Sequence, residues 1–227
     1  MRAAVGSRAT NHTPAARFNG ARRRAAIVVC PKSGTEVPRY RMTMNYLDEI
    51  TAYVPCCEQE KKDKALMLAF AAQHPDCLLR SNAAGHFTAS AWIVNRERTK
   101  VLFCYHNIYR SWSWVGGHAD GESDLAAVAL REAREETGIT DGRLARQGLF
   151  SLEILTVDGH EKRGEYVPGH LHYNLTYLIE ADEDEPVRAK TDENSGVKWF
   201  PLADAPLVSS EPWMAARVYQ KLIDKEY

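Results

Sequence analysis

The sequence is short of several things that would assign a class at once. It has little cysteine: five residues in 227, namely Cys30, Cys56, Cys57, Cys77 and Cys104. The number is odd and no pair has metal-ligand spacing, so neither a disulfide scaffold nor a cysteine-bound metal is expected. A reduced, cytoplasmic chain is the expectation. Net charge is also nearly absent, −1 from 29 basic and 30 acidic side chains. That balance gives no reason to expect nucleic acid or a membrane surface as partner. There is no apolar run of membrane-spanning length, no apolar core of a secretory signal and no internal repeat.

What is present is the composition of a globular protein, 44% hydrophobic and 26% charged. The length suits one domain with additions, or two small ones. Charge is unevenly spread. Residues 1–43 carry eight arginines and Lys32 against Glu36 alone. They show little periodicity and read as a disordered basic extension, with a short strand possible at Ala25 to Cys30. An organelle transit peptide and an over-extended start, with Met42 and Met44 close to the first helix, are the other readings. Residues 44–80 read as two helices over 46–57 and 58–74, packed on a main domain at 81–227.

The chain is organised around Gly116-Gly117-His118-Ala119-Asp120-Gly121-Glu122 and the segment that follows to Ile139. Leu125, Val128, Ala129 and Ala133 form an apolar stripe at helical spacing. Ser123 is the expected N-cap and Gly138 the expected left-handed C-cap. On that helix Glu132, Glu135 and Glu136 fall within one arc of roughly 100°. Three carboxylates on one face repel unless a cation sits among them. Hard oxygen donors suit Mg²⁺, or Mn²⁺, rather than zinc. Arg131 lies four residues before Glu135 and can hold its carboxylate. A solvated Glu/Arg face is the bland alternative, but such faces alternate in sign and lack a double-glycine loop ahead of them.

These residues resemble the Nudix box, the metal-binding loop-helix-loop of the Nudix hydrolase family. The half from Arg131 to Ile139 matches at every fixed position. In the first half only four residues separate Gly117 from Glu122, and eight separate Glu122 from Arg131. The loop is one residue short and the helix start one residue long, so Ser123 takes the slot of the box's first Glu.

Strand signals flank the box. Phe87 to Val94 and Val101 to Tyr105 read as a hairpin across a turn at 95–100. Leu144 to Val157 reads as one long strand bulged at Gly148. His170 to Ile179 and Val197 to Phe200 read as further strands, and residues 210–224 as a terminal amphipathic helix. The order of elements gives an α+β fold with a mixed sheet between helices. The Nudix resemblance implies that family's α/β/α sandwich over about residues 85 to 205, with an N-terminal helical extension.

The resemblance also implies an activity: a Mg²⁺-dependent hydrolase cleaving a phosphoanhydride of a nucleoside diphosphate linked to another moiety. The metal ligands would be Glu132, Glu135 and Glu136. Arg131 would orient carboxylates, and either Glu132 or Glu193 would be the general base. Trp114, Gly116, Gly117, His118, His170 and His172 are the expected substrate contacts. Trp114 could stack on a base or pack under the sheet. His170 and His172 share a strand face and could bind zinc only with a third ligand, so substrate contacts or satisfied hydrogen bonds are preferred. The partner is a small molecule, and a homodimer is compatible with the chain. An isoprenoid diphosphate isomerase and a non-catalytic nucleotide sensor on the same fold are the alternatives.

Overall fold

Two stretches of uninterrupted apolar and β-branched sequence, around residues 85–95 and 170–181, become the centre of the sheet. In the computed structural model, which describes residues 45–162 and 164–225, these are β1 (Gly85–Asn95) and β9 (His170–Ala181). They run parallel, in register from Gly85 opposite Leu171 to Asn95 opposite Ala181. Every residue of β1 is buried, as a strand covered on both faces must be. The expected extension at 1–43, and the strand at Ala25 to Cys30, lie outside the described residues.

The remaining strands assemble around this pair. β2 (Lys100–His106) returns antiparallel to β1, and β10 (Asn194–Pro201) pairs with β2. The short β3 (Ser111–Ser113) pairs with β2, and β4 (Val115–His118) with β1. β5 (Arg143–Leu144) and β6 (Ser151–Val157) both pair antiparallel with β9. The result is a mixed eight-stranded sheet, as the order of elements implied. β7 (His160–Lys162) and β8 (Glu165–Val167) form a separate small ribbon.

One strand expectation needs correction. Leu144 to Val157 is not continuous. Ala145 N donates to Leu178 O and Phe150 N to Thr176 O, so the chain loops out between them. Gly148 lies in that loop at φ +73°, a left-handed conformation that suits glycine. The apolar pattern had the right partner strand, but the interruption is longer than a one-residue bulge.

Helices cover both faces. On one, α3 (Leu125–Thr137) lays Leu125, Val128, Ala129 and Ala133 against Phe87, Ala89, Leu175 and Tyr177. Tyr46 and Ile50 of α1 (Tyr46–Ala52) and Met67 of α2 (Glu58–Gln73) join the same cluster. On the other face, Trp92, Val94, Phe103 and Leu178 meet Val218, Tyr219 and Leu222 from the C-terminus. That end forms α4 (Ala205–Val208), α5 (Pro212–Met214), a π-helical stretch (Ala215–Tyr219) and α6 (Gln220–Asp224). Among the described residues no helix is long and apolar enough to cross a membrane.

Candidate active site

The glycine loop is pinned before it can do chemistry. Ala119 N donates to Phe87 O, and Gly121 N to Leu78 O. Arg80, just beyond α2, grips Asp120 with both arms of its guanidinium, Nε to Oδ1 at 2.6 Å and Nη2 to Oδ2. Asp120 itself sits at φ +49°, so this ion pair fixes a left-handed turn. Nothing in the sequence near the loop pointed to Arg80, which lies forty residues upstream.

The N-terminus of α3 differs from expectation. The cap is Asp124, whose Oδ1 accepts from Ala127 N at 3.0 Å, and not Ser123. A carboxylate gains from the helix dipole where a hydroxyl does not. Glu122 is exposed, and its Oε1 accepts from Asp124 N at 2.9 Å. It braces the start of the helix and is not among the inward-facing acids. At the other end Gly138 closes the helix at φ +77°, as expected.

Two glycines allow close approaches around β4. A Cβ on Gly117 would stand 2.6 Å from Glu132 Oε1, so a side chain there would displace that acid on α3, and one on Gly116 would stand 2.6 Å from Ala89 O of the neighbouring β1. Gly116 N donates to Glu136 Oε1 at 3.1 Å. Gly116 therefore holds one of the box carboxylates through its backbone amide.

Glu136 is 6% exposed. Its other oxygen accepts from Asn194 Nδ2 at 2.7 Å, at the start of β10. Burial pushes its carboxyl up to about 7, against the lowering effect of Asn194 and Gly116, and the charges of Glu132 and Glu193 add to the rise. Glu132 is also raised, by burial first, with Arg131 opposing and Glu135 reinforcing. Glu132 thus feels the charge of Glu135, and Glu136 that of Glu132. The oxygens of the three box carboxylates do not gather within 4.8 Å of one another as a set, as some other groups do.

Arg131 contacts Glu132, Nη2 to Oε1 at 3.4 Å, where Glu135 was expected. Both Arg131 and Glu135 are exposed on the outer turn. Glu193 stands half-exposed at the mouth of β10, paired with Lys190 Nζ at 3.0 Å. Its charge reaches Glu136. Asn194, its neighbour, was missed in the sequence although it is the group that touches Glu136. Its Oδ1 is buried without a partner. A buried carboxylate lacking a cation and a lone carbonyl oxygen beside it form a donor set suited to a hard divalent ion.

Trp114 is half-buried and packs edge-on against Tyr219, with its backbone N donating to Tyr219 OH at 3.4 Å. His118, His170 and His172 are gathered, but around a residue the sequence reading passed over, His86. Two residues beyond His172, Asn174 bonds Thr88, Ser90 and Glu153.

Comparison with known proteins bears on the whole domain. A family model of the NUDIX domain matches residues 85–222. Comparison with curated protein sequences gives no match. Similar solved structures include a C. elegans Ap4A hydrolase in a binary complex, 20% identical over 60% of this chain and 91% of that one, TM-score 0.44. A NUDIX-family hydrolase from Clostridium perfringens is 20% identical over 60% and 95%, TM-score 0.43. The E. coli dihydroneopterin triphosphate pyrophosphohydrolase is 13% identical over 60% and 94%, TM-score 0.45. With its NUDIX match spanning more than half of its length, and the box helix seated on a mixed sheet, the chain belongs to the Nudix hydrolase family and is a pyrophosphohydrolase.

Proposed function

We propose that the chain is a Mg²⁺-dependent hydrolase of a nucleoside diphosphate linked to another moiety, with Mn²⁺ able to substitute. The observation that carries this reading is Glu136: buried, hydrogen-bonded to Asn194 and Gly116, beside two further glutamates and without a cationic partner among the described residues. Glu132, Glu135 and Glu136 would hold the ion, with the Asn194 carbonyl near at hand. When bound, such an ion supplies Lewis acidity toward diphosphate oxygens and acidifies water.

The chain's own residues do the rest. Arg131 orients Glu132, and Gly117 leaves room for its carboxylate against β4. Glu132 can serve as general base only if it holds the ion through water, because a carboxylate bound directly to a cation is a poor base. Glu193, tied to Lys190 at the rim, is the other candidate. Gly117, which faces Glu132, and its neighbour Gly116 are the β4 residues proposed to meet the diphosphate, whereas Trp114 packs against Tyr219 on the other face of the sheet.

An isomerase reading would need a reactive thiol, and Cys104 does not support one. It is 1% exposed, its Sγ meets Glu136 O at 3.7 Å, and burial raises its pKa further out of range. The test is a panel of nucleoside diphosphate derivatives assayed with Mg²⁺, with EDTA and with each ion restored. Turnover of one derivative that stops in EDTA and returns with Mg²⁺ is expected. Full turnover in EDTA would overturn the metal-dependent reading.

A further inference from the structure

Strand register brings four histidines to one corner of the sheet. His86 and His172 are direct partners across the parallel β1 and β9 pair. His170 lies two residues before His172 and so on the same face. His118 ends β4, opposite Thr88. Ring centroids lie 5.0 Å apart for His86 with each of His118, His170 and His172, and 4.9 Å apart for His172 with His118 and with His170. The ligating nitrogens of His86, His170 and His172 all fall within 4.8 Å of one another.

The hydrogen bonds fix which nitrogens are available. His86 Nδ1 meets Asn82 O at 3.3 Å, and His170 Nδ1 meets Pro168 O at 2.9 Å. A carbonyl only accepts, so in both rings the proton sits on Nδ1. Each Nε2 then carries a bare lone pair. That of His170 faces His172 Nε2 at 3.1 Å. That of His86 is buried with no partner, on a residue 4% exposed. An unpartnered buried acceptor is costly, and here it belongs to a ring already oriented through its far nitrogen by a backbone carbonyl. Metal-binding histidines are held in the same way.

We propose that His86, His170 and His172 bind a borderline transition-metal ion, Zn²⁺ in the first instance, at a site separate from the box carboxylates. The donor chemistry favours this class. Imidazole suits zinc, whereas Mg²⁺ seeks oxygen. Three nitrogens leave a fourth position, for which His118 is the adjacent side chain. The charges around the site permit a cation: Arg80 is the nearby positive group, and Asp120 holds its guanidinium. The site lies directly beside the glycine loop, since His118 follows Gly117. It does not rest on the proposed substrate or on Mg²⁺ dependence.

The test uses the full chain, stripped with a chelator and titrated with Zn²⁺, with Co²⁺ as the visible probe. The native chain should bind Co²⁺ with the strong visible bands of a low-coordinate, nitrogen-ligated ion. The double variant Glu132→Gln/Glu136→Gln should keep those bands. His172→Gln and His170→Gln should lose them and weaken Zn²⁺ binding at least about 100-fold, the upper end of what removing an outer partner of a ligand costs. Undiminished Zn²⁺ affinity in a folded histidine variant, or loss of the bands in the carboxylate variant, would overturn the proposal. Should a histidine variant fail to fold, the native spectrum decides. Weak bands of a six-coordinate oxygen site, or no stoichiometric binding, would sink the histidine site.

Discussion

Glu60 on α2 and Glu136 on α3 are both buried helical glutamates, 0% and 6% exposed. Their surroundings are opposite. Glu60 Oε1 meets Lys225 Nζ at 2.7 Å and Lys221 Nζ at 3.2 Å. Its Oε2 accepts from Tyr53 OH at 2.7 Å and Cys56 N at 2.9 Å. Glu153 shares Lys221 at 2.8 Å. Burial alone would raise the Glu60 carboxyl, but the lysines and the amide hold it down to about 2. Glu136 receives only neutral donors, and burial pushes it to about 7. The chain supplies its own cations where a carboxylate ties helices to sheet. At Glu136 it supplies none among the described residues, and that difference is what the proposed site for an external ion rests on.

The comparison breaks most visibly at Glu60. Glu60→Gln keeps the shape and one hydrogen bond but leaves Lys225 buried without its counter-charge. Removing one partner of a buried pair costs about 3–5 kcal/mol. Urea unfolding of the full chain should show a loss of that size. A loss below about 1 kcal/mol would mean that the lysines find other partners.

The acid limb of stability follows from the same group. Its folded carboxyl lies below the ordinary 4.5. Its stabilisation is therefore complete above pH 4.5 and is lost as pH falls toward 2. The shift corresponds to roughly 3 kcal/mol. Unfolding measured from pH 5 to pH 2 should show that decline, and Glu60→Gln should flatten it. The metal-stripped box behaves in the reverse sense, because the Glu136 carboxyl is raised. Its contribution is present below pH 4.5 and lost as pH rises through 7.

Glu136→Gln sharpens the contrast. Turnover should fall about 100-fold or more, near 2.7 kcal/mol of barrier, while stability at neutral pH holds or rises because a buried unpaired charge is gone. Mg²⁺ titration alongside the kinetics should show weaker binding. Intact turnover with unchanged metal affinity would remove Glu136 from the ligand set.

Local signals made α3 legible in the sequence alone. Its stripe, its glycine C-cap and its three acids all lie within one short segment, where periodicity and capping act directly. The parallel β1 and β9 pairing was not legible, because register between strands some 85 residues apart is decided by packing and not by either strand alone. His86 was lost with it: a lone histidine at a strand start gains meaning only when His172 is placed opposite. Asn194 and Arg80 were missed for the same reason, each acting on a partner distant in the chain. The lysines of the Glu60 joint come from the far C-terminus. The single-strand reading of Leu144 to Val157 failed on a conformational point, the left-handed Gly148, that apolar pattern does not report.

The smallest effect tests a third way of holding a carboxylate, by backbone amides at the start of α3. Asp124 accepts from Ala127 N, and Glu122 from Asp124 N. Neither needs a lysine or a metal, because the helix N-terminus is itself partly positive. Asp124→Ala should cost about 1 kcal/mol of stability, the usual value of a cap. Ser123→Ala should be nearly silent, since Ser123 is exposed and is not the cap. Glu122→Gln keeps an acceptor oxygen at the same place and sits outside the inward-facing acids, so Mg²⁺ affinity should not move. A clear fall in Mg²⁺ affinity in Glu122→Gln would place Glu122 in the metal set. The one-residue shift in the first half of the box would then have left the family's first-Glu role in place.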